Sequence, residues 1–307
     1  MTQTISGYDI IGDVHGHAEM LIQLLIKMGY YAKDHVWQHP ERKVIFVGDY
    51  IDRGPSIRET LYVVRGMVEA GSALAIIGNH EYNALAFHYH NPYGGHIRKH
   101  SHKNILQHFE TIKQFQGYEQ EWNDYLSWFA NLPVFLEIDG IRVVHACWDD
   151  AHVEYLKTIE WPVTKEILLV AHKRGTDTWK AFDEMLKGKE IRLPDGLGFE
   201  DKDGHLRSEA RIRWWMNTEQ MRLEDYLFNT PETIRHQPIP LELQQKGYSS
   251  DAPPVFFGHY WLKPNHGPQL MASNVCCLDY SVAKGGILVA YRHTIGEKLS
   301  SANFCWV

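Results

Sequence analysis

Three polar clusters, Gly12-Asp13-Val14-His15-Gly16, Gly48-Asp49-Tyr50-Ile51-Asp52-Arg53-Gly54 and Gly78-Asn79-His80-Glu81, gather carboxylates, imidazoles and an amide in the first third of a 307-residue chain. Such groups offer oxygen and nitrogen lone pairs to a cation. Asp13 and His15 stand two apart on a chain leaving an apolar run, so both side chains can turn toward one ion. Asp49 and Asn79 add oxygen ligands, and His145 and His259 each close a later apolar run. Six mixed ligands are more than one tetrahedral site can use. Two cations sharing Asp49 would use them all, and imidazole with carboxylate favours manganese, iron or zinc over calcium. Taken singly, each Asp or Asn is equally at home as a helix cap or turn residue; it is the ordered set that points to metal chemistry.

The elements that must position these residues follow from the hydrophobic pattern. Residues 8–11, 44–47 and 73–77 read as buried strands, each ending just before one cluster. Between them, Leu21, Leu24, Leu25 and Met28, then Ile57, Leu61, Val64 and Val68, recur at helical spacing, and Gly29 and Gly71 close the two helices. This β-α-β-α-β-α order predicts three parallel neighbours with right-handed crossovers. Ligands of parallel α/β sheets bind beyond the carboxyl ends of the strands, so the clusters should converge on one crevice. Asp139-Gly140 between 133–138 and 141–144 predicts a hairpin. Residues 255–257, 275–278 and 287–290 read as late strands, and 105–130 as an aromatic-rich helical pair. Residues 150–250, with turns at Leu193-Pro194-Asp195-Gly196 and Asp201-Lys202-Asp203-Gly204, read as a helical cap. The whole, 1–307, is expected to be one domain.

The composition narrows the function classes. Lysine and arginine number 31 against 38 acidic residues, a formal charge of -7, which gives little electrostatic reason for non-specific binding to nucleic acid or anionic membrane. The four cysteines lack CxxC spacing, residues 1–6 carry no basic leader ahead of an apolar run, and no stretch approaches the roughly 18 apolar residues of a membrane span. A cytoplasmic protein is expected. Nineteen histidines stand out; of these, His88, His90, His96, His100 and His102, with Arg98, Lys99 and Lys103, read as a solvated mobile lid, with a third metal or a contact to substrate phosphate as the alternatives.

In order and spacing, GDVHG, GDYIDRG and GNHE resemble the signature of the calcineurin-like metallophosphoesterases, in the branch of the phosphoprotein phosphatases and the symmetrical diadenosine tetraphosphatases. The resemblance extends to VVHACW around His145, ARIRWW at 210–215, FGHYW around His259 and CLDYSVAKGGILVAYR near the end. It implies an α/β fold, a four-layer α-β-β-α sandwich carrying the helical cap insertion. It implies two divalent or trivalent ions, manganese ahead of iron or zinc, one held by Asp13, His15 and Asp49, the other by Asp49, Asn79, His145 and His259. His80 resembles the general acid and Asp52 the carboxylate that orients it. Arg53 resembles the phosphate clamp, and Arg213 with Arg211 a second clamp from the cap. The implied reaction is hydrolysis of a phosphate ester or anhydride by a hydroxide bridging the metals.

Two departures bear on substrate. Protein phosphatases of this family carry an arginine where this chain has Ile77, and Gly258-His259-Tyr260-Trp261 looks more like the nucleotide-cleaving branch. A nucleotide such as a dinucleoside polyphosphate is therefore expected ahead of a phosphoprotein, the serine/threonine phosphatase being the rival. Trp148 and Trp261 are candidates for stacking a base. A non-catalytic scaffold would have no need of all these filled positions.

Overall fold

The structure, a computed structural model, describes residues 5–193, 198–200, 206–228, 230, 232 and 234–307. Its first strand, β1 (Gly7–Ile11), is buried along its whole length and lies between two neighbours. A helix, α1 (Ala18–Lys27), and a short hairpin of β2 (Tyr31–Lys33) and β3 (Val36–Gln38) lead to β4 (Arg42–Phe46). Then come α2 (Ile57–Glu69), β5 (Ala73–Ala75), α3 (Asn79–His88), α4 (His102–Gln114) and α5 (Glu119–Asn131). β1, β4 and β5 are parallel neighbours, as the alternating pattern requires.

The Asp-Gly hairpin joins β6 (Phe135–Ile138) to β7 (Ile141–Val144) in antiparallel register. The next segment holds α6 (Asp150–Leu156), α7 (Lys165–Ala171) and α8 (Asp177–Lys187), then β8 (Glu190–Arg192), β9 (Phe199–Glu200), β10 (Leu206–Arg207), β11 (Glu209–Arg211) and α9 (Leu223–Tyr226). The helical character expected over 150–250 therefore holds to Lys187. Beyond Gly188, whose φ of 82° ends the helix, the chain makes small antiparallel pairs, β8 with β11 and β9 with β10. The turns expected at 193–196 and 201–204 lie, apart from Leu193, outside the described residues. The chain closes with β12 (Val255–Phe257), β13 (Val275–Cys277), β14 (Asp279–Tyr280), β15 (Ile287–Thr294) and β16 (Phe304–Trp306).

Two sheets result. One has the order β14-β15-β1-β4-β5 with β16 on β15, the other the order β13-β12-β7-β6. The period-2 alternation of strand side chains divides the core. Tyr8, Ile10, Ile45 and Val47 meet Val143, Phe256 and Cys276 between the sheets, while Ile11, Val44 and Phe46 face the stripe Leu21, Leu24, Leu25, Leu61 and Val64 of α1 and α2. On the far side, Phe257 turns outward against Trp214 and Trp215 of the cap segment. The layers are those of a metallophosphoesterase sandwich. β15 runs on to Thr294, four residues past the expected end, because its pairing with β1 extends to Gly7 and buries His293 despite the polar sequence. Among the described residues no helix is long and apolar enough to cross a membrane.

Candidate metal centre

Every candidate ligand lies just past a strand end: Asp13 and His15 after β1, Asp49 after β4, Asn79 after β5, His145 after β7 and His259 after β12. In the second sheet β7, β12 and β13 are mutually parallel. The carboxyl ends of both sheets thus open onto one crevice. All six side chains are buried, none more than 8% exposed.

The turns that carry them are locked together. The amides of Val14 and His15 donate to the Asp49 carbonyl, at 3.1 and 2.8 Å, and the Gly16 amide to Tyr50. Gly48, at φ +101, passes so close to Gly78 that a Cβ would sit 2.5 Å from its Cα. His15, Asp49, Asp52, Arg53 and His259 all take left-handed φ angles, 45° to 72°, which costs non-glycine residues energy and concentrates where geometry is functional. Glu81 supplies the fastening: its carboxylate accepts from the amides of Asp49, Tyr50, Ile51 and Gly78, at 2.8 to 3.2 Å. Burial, with Asp49 beside it, pushes this carboxyl up to about 7. Glu81→Ala would orphan four buried amides at roughly 1–3 kcal/mol each before relaxation. A loss of several kcal/mol in urea unfolding is expected, and unchanged stability would show that the turns hold without it.

Asp49 is the hub. Its Oδ2 lies 3.6 Å from His15 Nε2 and its Oδ1 3.4 Å from His145 Nε2. His15 Nδ1 donates to the Ile51 carbonyl at 3.0 Å and His145 Nδ1 to that of Val47 at 2.8 Å. With Nδ1 protonated, each Nε2 turns a lone pair toward a carboxylate oxygen. His15 Nε2 is buried with no hydrogen-bond partner. Asn79 Oδ1 sits 3.0 Å from His145 Nε2 and 2.7 Å from His259 Nδ1, and Asp13 accepts from the His259 amide at 3.0 Å. Burial, followed by His80's charge, lowers His15 to about 3, and burial, followed by Arg211, holds His259 well below its ordinary value. Burial, followed by the carboxylates of Asp279 and Asp49, drives Asp13 up. His15 and His259 held neutral, with unpaired Nε2 lone pairs beside crowded carboxylates, fit cation binding; burial opposes charging His145, but Asp49 beside it raises its pKa. The ligand atoms of His15, Asp49 and His80, and those of Asp49, His145 and His259, each lie within 4.8 Å of one another, so Asp49 is shared between two potential metal groups.

His80 lies beside the centre in the first turn of α3. Its amide donates to Asp49 Oδ1 at 2.9 Å, its Nδ1 meets Asp52 Oδ2 at 2.5 Å, and its Nε2 lies 3.9 Å from Asp49 Oδ2. Burial opposes charging this imidazole, but Asp49 and Asp52 outweigh it and raise its pKa. Arg53 is exposed over the Trp261 ring at 4.5 Å, and Lys284 lies 3.9 Å from the same ring. Asp279 fixes that tryptophan by accepting its amide at 2.7 Å.

Next to His259 opens a cavity of about 1230 Å³ that Arg211, Arg213, Trp215, Phe228, Tyr260 and Trp261 help to line. Arg211 Nε is buried without a partner. Arg213 Nη1 donates to the carbonyls of Glu224 and Asp225, which braces the cap wall. Trp148 is buried, with Arg142 over its ring, and lies away from this cavity.

The histidine-rich segment is packed against itself. Phe87, His100, His96 and His90 form a continuous ring stack at 3.9 to 4.7 Å, and Arg98 donates to Asn104 and Gln107. Among the described residues, none of His88 to His102 joins a three-residue group able to hold a metal. Sequence reasoning gave no role to Glu81, Asp279, His108 or Thr111; Glu81, inside the third cluster, and Asp279, inside the CLDYSVAKGGILVAYR motif, carried a local signal.

Comparison with known proteins agrees with this geometry. Residues 8–259 match the calcineurin-like phosphoesterase family. An asymmetrical bis(5'-nucleosyl)-tetraphosphatase PrpE from Oceanobacillus iheyensis is 31% identical over 139 residues, 45% of this chain and 54% of that protein. The chain thus spans about half the length of that relative. A symmetrical bis(5'-nucleosyl)-tetraphosphatase from a Janthinobacterium species is 27% identical over 292 residues, 92% of each chain. A protein serine/threonine phosphatase from Saccharomyces cerevisiae superposes with a TM-score of 0.50 at 13% identity, covering 100% of this chain and 80% of that one, a likeness of fold alone.

Proposed function

The chain belongs to the calcineurin-like phosphoesterase family, and from that premise we propose that it is a dinuclear-metal hydrolase of phosphoanhydrides whose substrate is a dinucleoside polyphosphate. The observation that carries the substrate class is the cavity of about 1230 Å³ beside the metal centre. Small-molecule pockets run to roughly 300–1,000 Å³, so this one suits a long nucleotide better than a single phosphorylated side chain. Both tetraphosphatase relatives point the same way. The unpaired cysteines, Cys147, Cys276, Cys277 and Cys305, accord with a cytoplasmic setting.

In this proposal Asp13, His15 and Asp49 hold one ion and Asp49, Asn79, His145 and His259 the other, with manganese the first choice. When bound, the two ions supply an activated water and a Lewis-acid grip on phosphate oxygens. The chain's own groups do the rest. Arg53 and Arg211 neutralise phosphate oxygens, with Arg213 behind them. Asp52 holds His80 by Nδ1, which leaves the proton on Nε2 facing the departing phosphate.

The test is to strip the protein of metal, resupply manganese, and offer p-nitrophenyl phosphate, diadenosine tetraphosphate and a phosphoserine peptide side by side. Manganese-dependent consumption of the tetraphosphate is expected to dominate. Two ADP would mark symmetrical cleavage, ATP with AMP asymmetrical. Preference for the peptide would move the chain to the protein phosphatases, and silence on all three would end the hydrolase assignment.

A further inference from the structure

Asp52 has more partners than orienting one histidine requires. Its Oδ2 faces His80 Nδ1, while its Oδ1 accepts from His108 Nδ1 at 2.7 Å and from Thr111 Oγ1 at 2.6 Å. Thr111 Oγ1 in turn accepts the Asp52 amide at 3.0 Å. Both residues project from α4, a helix outside the three clusters, and they are 5% and 0% exposed.

The far side of His108 is held as well. Its Nε2 lies 3.1 Å from His88 Nε2, and that same nitrogen accepts from Trp122 Nε1 at 3.1 Å. Indole nitrogen only donates, so His88 Nε2 presents its lone pair to Trp122. Burial, then the charge of His108, pushes His88 down to about 3, which keeps it neutral and able to accept. Facing a carboxylate, His108 Nδ1 is the nitrogen that carries a proton and donates it to Asp52. A second imidazole N–H therefore holds Asp52 opposite His80.

We propose that His108, seconded by Thr111, is a positioning residue for proton donation by His80, aiming the Asp52 carboxylate and holding it in place by hydrogen bonds after His80 gives up its proton. This rests on the acid role proposed for His80. Without His108, Asp52 Oδ1 would lose one of its two side-chain donors, and a buried carboxylate short of hydrogen bonds is costly. The proton passes from His80 Nε2 to the leaving oxygen as its bond to phosphorus breaks. His108 keeps its Nδ1 proton throughout.

A positioning role separates from a merely structural one by leaving group. p-Nitrophenolate departs with little protonation, whereas phenolate needs the acid. His108→Ala and the near-isosteric Thr111→Val are compared with the parent on p-nitrophenyl and phenyl phosphate, in manganese. For His108→Ala we expect kcat on phenyl phosphate to fall about 10- to 100-fold and that on the p-nitrophenyl ester less than about threefold, with KM unchanged. Thr111→Val should show the same selectivity at smaller size. Independently of turnover, the Nδ1–H resonance of His80 in metal-free, histidine-labelled protein should shift in both variants. Equal losses on the two esters, no loss, or an unmoved resonance would overturn the proposal. A parent inactive on both esters but with a responsive resonance would retain the His108 contact and refute the hydrolase assignment and its acid.

Discussion

His80→Ala is expected to lower kcat for diadenosine tetraphosphate by about 10²- to 10⁴-fold, with KM changed by less than about threefold. The reason lies in where the imidazole is held. The first turn of a helix carries partial positive charge and disfavours a cation there, and burial disfavours it further. Yet Asp52 at 2.5 Å and Asp49 at 3.9 Å surround the ring and raise its pKa above the ordinary value. A histidine whose charged form is favoured in that position, beside the hub of the candidate metal ligands, is suited to donate a proton to a departing phosphate. Substrates whose leaving groups need no protonation should be nearly indifferent to the change, so stopped assays with esters of graded leaving-group acidity would steepen in the variant. A loss smaller than about tenfold at saturating substrate would remove His80 from the acid role.

Asp49→Asn is expected to be more damaging still. The amide keeps the size of the side chain and an oxygen able to accept the His80 amide, but it removes the charge that faces His15 at 3.6 Å and His145 at 3.4 Å. A ligand shared by two ions is also the one that fixes their separation. Metal content after dialysis should fall from two ions per chain to one or none. Turnover should fall by more than the roughly 10- to 100-fold typical of residues that merely support a ligand. Elemental analysis separates the two effects: a variant that keeps both ions yet loses turnover would make Asp49 an electrostatic partner rather than a bridge. Retention of both metal and activity would refute the shared site.

The rival substrate class turns on the cap. A closed pocket would favour the nucleotide and a shallow groove a phosphoprotein; Arg211, Trp215, Phe228 and Tyr260 form one wall of a wide, half-open cavity beside His259. That wall comes from short strand pairs as much as from helices, which the expectation of a helical cap did not include. Gly188 and the turn residues after it end α8, and the segment beyond can close its backbone hydrogen bonds only by pairing with itself.

Taken alone, the sequence determined the parallel β1-β4-β5 core, the Asp-Gly hairpin and the placement of the six candidate metal ligands at strand ends. These were legible because each rests on a local cause: apolar runs of strand length, helical stripes between them, and polar clusters at strand ends. His145 and His259 were legible for the same reason, as single histidines closing apolar runs. Only the tertiary structure decided what lies behind those groups. His108 and Thr111 sit 56 and 59 residues from Asp52, on a helix whose pattern records which face is apolar but not which carboxylate its polar side chains will reach. The histidine stack from Phe87 to His90 likewise depends on rings that meet only after the chain folds back. Periodicity encodes burial, and burial selects the elements; the partners of a buried polar atom are chosen by packing across the whole chain, and no local pattern carries that choice.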